Sequence, residues 1–114
     1  MADSPSPVVR VNEAELRRRF NDGHYAERAE RGELRIVILE PPNRPAPAGA
    51  QQIPGTVSQM ISYRDSDDNE LVRAHRYVRP DGTVGGSGRP DPKIIFESGI
   101  LYLQARKRDQ TAKS

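Results

Sequence analysis

Along residues 71–79 the side chains alternate with a period of two, putting Leu71, Arg73, His75, Tyr77 and Arg79 on one face and Val72, Ala74, Arg76 and Val78 on the other. The pattern predicts a strand with a core face and a polar face. Residues 56–64 alternate in the same way, Val57, Ile61 and Tyr63 against Ser58, Met60 and Ser62. The polar stretch between these strands, residues 65–69, is too short for a parallel crossover, so the two are expected to form an antiparallel hairpin. A second hairpin is expected for residues 93–97 and 100–105, joined by Ser98-Gly99. Residues 34–39 are apolar on both faces, rich in β-branched side chains and stopped by Pro41-Pro42, which predicts a buried strand, central or well covered. Whether Ile36 and Ile38 or Val37 and Leu39 point inward is left open by a run apolar on both faces.

Helical signals precede the strands. Asn12 is a suitable N-cap, Glu15 follows at capping-box spacing, and Val11 can pack on Leu16 as a hydrophobic staple. The helix expected from Glu13 has Leu16 and Phe20 as its apolar stripe and Asp22-Gly23 as its stop. A second short helix is expected over residues 25–31, ending at Gly32. Residues 41–54 hold five prolines without periodicity and read as a semi-extended connector.

These elements predict an α+β fold in which short N-terminal helices pack on an antiparallel sheet of about five strands. With so few apolar residues the helices can cover one sheet face, leaving His75 and Tyr77 on the other, open face. The expected organisation is a flexible arm over residues 1–9, one domain over residues 10–105 and a basic flexible tail over residues 106–114. Leu16, Phe20, Ile36, Ile38, Ile61, Val72, Ile95 and Leu101 are the expected core.

Composition narrows the function classes. A chain of 114 residues with 34% apolar residues has room for one modest core. Its net charge of +2 is not that of a strongly basic nucleic-acid binder, and the arginines at 17–19 are nearly balanced by neighbouring acids. With no cysteine there is no disulfide, thiolate zinc site or thiol nucleophile. His24 and His75 lie far apart, so no metal or cofactor is expected. The absence of a signal peptide or a membrane-length apolar run points to a cytoplasmic protein without a membrane partner.

Candidate chemistry concentrates in residues 71–93. His75 stands among Arg73, Arg76 and Arg79, with Tyr63 or Tyr102 as a possible cross-strand neighbour. Gly82, Gly85, Gly86 and Gly88 can form either an anion-binding nest flanked by Arg89 and Lys93, a flexible lid, or a tightly packed turn. No Gly-Lys-Ser/Thr ending or following helix marks a P-loop. Asp81 and Asp91 sit beside prolines in turn contexts, where capping a backbone amide is the expected role.

The cassette HRYVRPDGTVGGSGRPDPK, followed by an apolar strand and SGILYL, resembles one found in small bacterial and phage proteins of no assigned activity. The resemblance covers roughly the last third of the chain. It implies a self-contained domain in a mobile-element or accessory setting and transfers no catalytic residue. The expected function is a non-catalytic binding protein whose contact surface comprises Arg73, Tyr77, Arg79, Gly85, Gly86, Gly88, Arg89 and Lys93, with a protein or a polyanion such as RNA as partner. The alternative is a metal-independent ribonuclease. In it His75 is the general acid or base, Arg73 and Arg79 hold the phosphate, Arg89 and Lys93 reach in from the loop, and Tyr77 or Tyr102 stacks on a base.

Overall fold

The Asn12 side chain accepts a hydrogen bond from the Glu15 amide at 2.8 Å, and helix α1 (Glu13–Asp22) starts there, as the capping pattern predicts. Val11 and Leu16 both enter the core on either side of this cap. In the computed structural model, which describes residues 7–85 and 88–105, α1 is preceded by strand β1 (Val8–Val11) and followed by helix α2 (Tyr25–Glu30). Six more strands come next: β2 (Arg35–Ile38), β3 (Arg44–Pro45), β4 (Val57–Arg64), β5 (Glu70–Val78), β6 (Asp91–Glu97) and β7 (Ile100–Gln104). Within the proline-rich connector lie β3 and a single 3-10 turn at Ala48–Ala50.

All seven strands join one sheet in the order β1, β7, β6, β5, β4, β2, with β3 also pairing β4. The α+β class is as predicted, and both expected hairpins are present, β4–β5 and β6–β7. The sheet is larger than five strands and is mixed, because β1 pairs β7 in parallel. Val8 and Val9, expected in a flexible arm, thus belong to a strand. No helix among the described residues is long and apolar enough to cross a membrane.

The core lies between the helices and one sheet face. Leu16, Phe20, Tyr25 and Leu34 meet Ile61, Tyr63, Val72, Ala74 and Ile95 there, all essentially shielded from water. Five of the eight expected core residues are among them. Two short helices cannot roof seven strands, however, and this overturns the reading of residues 34–39. Among the described residues strand β2 lies at the sheet edge, pairing only β4, and Ile36 and Ile38 remain 38% and 42% exposed. They face the helix side opposite Tyr63 and Ile61, but beyond the cover of α2. Leu101 pairs with the exposed Phe96 and belongs to the opposite, open face, so it is only partly buried.

Candidate functional site

The register across the sheet builds the open face. One row of paired residues crosses six strands: Arg10, Leu103, Ile94, Arg73, Ser62 and Val37. A shorter row beside it joins Val8, Leu101 and Phe96, of which Val8 is 53% and Phe96 40% exposed. His75 pairs with Met60 and Asp91, and Tyr77 with Ser58. The face is therefore apolar towards β1, β7 and β6 and polar towards β5 and β4. Sequence reasoning found only the polar half, although alternation within 94–97 and 100–104 carried the signal for the other.

The polar residues of β5 and β4 on this face, and the charged groups beside them, are largely engaged with one another. Arg73 donates two hydrogen bonds to Glu70, at 3.0 and 2.8 Å. Burial works against the Glu70 carboxylate, but hydrogen bonds from Arg73 and Ser62 hold it below the usual range. Asp68 pairs with both Arg35 and Arg64. His75 Nε2 lies 2.6 Å from Ser58 Oγ, and its ring meets Tyr77 edge-on at 4.6 Å. Burial, then the charge of Lys93, pushes the His75 pKa down, with Asp91 opposing. The imidazole is thus neutral at physiological pH. A hydroxyl beside a neutral histidine is two thirds of a nucleophile triad, but among the described residues no carboxylate hydrogen-bonds to the ring. The Asp91 carboxylate is held by Arg17 of α1 at 3.1 Å.

The other predicted site residues scatter. Arg79 stays at the end of β5, where it donates to Thr83 Oγ1 at 3.5 Å. Asp81 caps the following turn, accepting from the Thr83 amide and hydroxyl. The chain then doubles back on β5, with Val84 bridging Val78 and the Gly85 amide donating to the Tyr77 carbonyl at 2.9 Å. The amides of Gly82 and Gly88 likewise donate to backbone carbonyls, so these three glycines do not present amides to an anion. Gly86 lies outside the described residues. Gly85 packs tightly: a Cβ there would stand 2.6 Å from Gln52 Oε1. Arg89 reaches to the helix side, pairing with Glu27 at 2.5 Å and Asn21 at 3.2 Å. Lys93 Nζ donates to Gln104 at 3.3 Å.

Neither expected aromatic neighbour of His75 stands beside it. Tyr63 is buried among the helices, and Tyr102 lies under the Arg19 guanidinium at 3.9 Å. Both have the helix-side parity, opposite to that of His75. Among the described residues no group of three His, Asp or Glu side chains is placed to hold a metal ion. No family model matches the chain, and neither the curated proteins nor the solved structures yield a match.

Proposed function

We propose that this chain is a small non-catalytic binding protein that holds a partner protein on the open face of its sheet, centred on β5 and extended by the apolar row Val8, Leu101 and Phe96. The observation that carries this reading is the composition of that face: the exposed Val8 and Phe96 flank the half-buried Leu101 in one row, and the same face carries Arg73 and Tyr77, residue types that dominate interface hot spots. A protein suits the surface better than a polyanion because Arg73 is paired with Glu70, and Arg35 and Arg64 share Asp68, which offsets most of the positive charge of this group. An accessory role in a mobile-element setting is in keeping with the resemblance of the cassette in residues 75–93.

The ribonuclease alternative has less support. Arg89, and Tyr102 as one of its two candidate stacking aromatics, lie on the helix side, and Arg73 is committed to Glu70.

The test compares the wild-type chain with a Phe96→Asp, Tyr77→Ala variant as bait in the native host. A partner identified with the wild type is then purified and titrated against both. Binding weakened by at least about tenfold in the variant, with its circular dichroism unchanged, supports the proposal. Equal binding by both, or retention abolished by nuclease, overturns it.

A further inference from the structure

A cavity of about 310 Å³ opens on the helix side, between α2, the edge strand β2, Val84 and the residues Gly88, Arg89 and Pro90. Its apolar lining includes Ala26, Ala29, Ile36 and Tyr63, with Arg76 among its polar groups. This volume lies at the low end of small-molecule sites and suits a ligand with a single ring. The cavity also accounts for Ile36, which is exposed because it borders this space.

Arg76 is the residue whose chemistry is unaccounted for. Alternation places it on the face that otherwise carries Val72 and Ala74, where an arginine is out of keeping with its neighbours. Its Nε donates to Gln59 Oε1 at 2.8 Å, and Gln59, itself 7% exposed, is fixed in turn by Asn43 at 2.6 Å. Among the described residues the Nη groups of Arg76 have no hydrogen-bond partner and the guanidinium has no carboxylate. A half-buried guanidinium held by one edge, with its other edge unmatched, is set to receive two carboxylate oxygens. Glu30 at the cavity mouth is exposed and does not pair with it.

We propose that this cavity binds a small aromatic carboxylate, its carboxylate taken by the Nη edge of Arg76 and its ring laid over Ile36 against Ala26 and Ala29 of α2. The site is on the opposite side of the sheet from the protein-docking face, so the two proposals stand or fall separately.

The test is a ¹⁵N-¹H NMR titration of the full chain with 4-hydroxyphenylacetate and with its neutral amide, 4-hydroxyphenylacetamide. The proposal expects the acid to shift the amide signals of Ala26, Ala29, Ile36, Val84 and Gly88 with saturation, and the neutral amide to bind at least about tenfold more weakly. Arg76→Gln is expected to remove that preference for the acid. Should Arg76→Gln unfold, Ile36→Trp, at an exposed edge position, fills the space and abolishes binding while leaving the fold intact. Three results overturn the proposal: no saturable shifts with the acid up to millimolar concentrations, shifts confined to the β5 face around Arg73 and Tyr77, or an acid preference that survives the substitutions.

Discussion

The ring of Tyr25 lies against Gly23 so closely that a Cβ on the glycine would come within 2.4 Å of Tyr25 Cε2. Gly23 has right-handed φ −80°, so its lack of a side chain serves packing and not backbone freedom. The left-handed residue of this junction is the next one, His24, at φ 56°. The Tyr25 ring cannot easily withdraw, being stacked on Phe20 at 5.9 Å with its hydroxyl donating to Glu97 at 3.3 Å. Adjacent substitutions should therefore act in opposite directions. Gly23→Ala is expected to destabilise by about 1–3 kcal/mol through overpacking, and His24→Gly to stabilise by about 1 kcal/mol by relieving a left-handed non-glycine residue. Urea denaturation midpoints of the two variants check both signs.

Tyr25 also gives the protein an alkaline weak point. Burial first, then the charge of and hydrogen bond to Glu97, raises its pKa from 10.0 to about 12. A group with a raised folded pKa stabilises fully below its unfolded value and loses that contribution as pH rises through the interval. Stability is thus expected to fall between about pH 10 and pH 12. Tyr25→Phe keeps the ring, loses about 1 kcal/mol with the hydrogen bond at neutral pH, and should show a flatter profile in that window. Chemical denaturation at pH 8, 10 and 11 separates the two.

Local signals were strong where one element decides the outcome. The Asn12 cap, the Ser98-Gly99 turn and the two faces of β5 follow from side-chain chemistry and period, and all three are present. The failures arise from relationships between elements. Residues 34–39 are as apolar as a central strand, but whether a strand is central depends on what pairs beyond it, and nothing in the run encodes that. Val8 and Val9 form a strand only because β7 offers them an edge. The same holds for the site: Arg73, His75 and Tyr77 were legible as a row, whereas Ser58 came into contact with His75 only through the hairpin register. Arg76 was legible in principle, an arginine alternating onto an apolar face.

The charges around His75 can be read individually. Because burial and Lys93 lower its pKa while Asp91 raises it, Lys93→Gln should move the titration upward and Asp91→Asn move it further down. The chemical shift of the His75 Hε1 proton against pH reports each. The lowered pKa also means that the unfolded chain takes up the proton first. The contribution of His75 to stability is present above its unfolded value of about 6.5 and declines as pH falls below it. A His75→Gln variant should lack that part of the acid dependence.

The same geometry makes a prediction about RNA. His75 is neutral and contacts Ser58, which suits a general base, yet a phosphoryl transfer also needs free cations around the scissile phosphate. Arg73 is held by two hydrogen bonds to Glu70, and Arg89 is anchored to Glu27 across the sheet. Mixed RNA incubated with the purified chain in EDTA is therefore expected to remain intact, and His75→Ala to behave as the wild type does. General acid-base catalysis contributes about a hundredfold or more to rate, so a true nuclease would lose chelator-resistant cleavage visibly in that variant. Such a loss would show that Arg73 leaves Glu70 when substrate arrives, and Glu70→Gln, which frees the guanidinium in advance, should then cleave faster than the wild type.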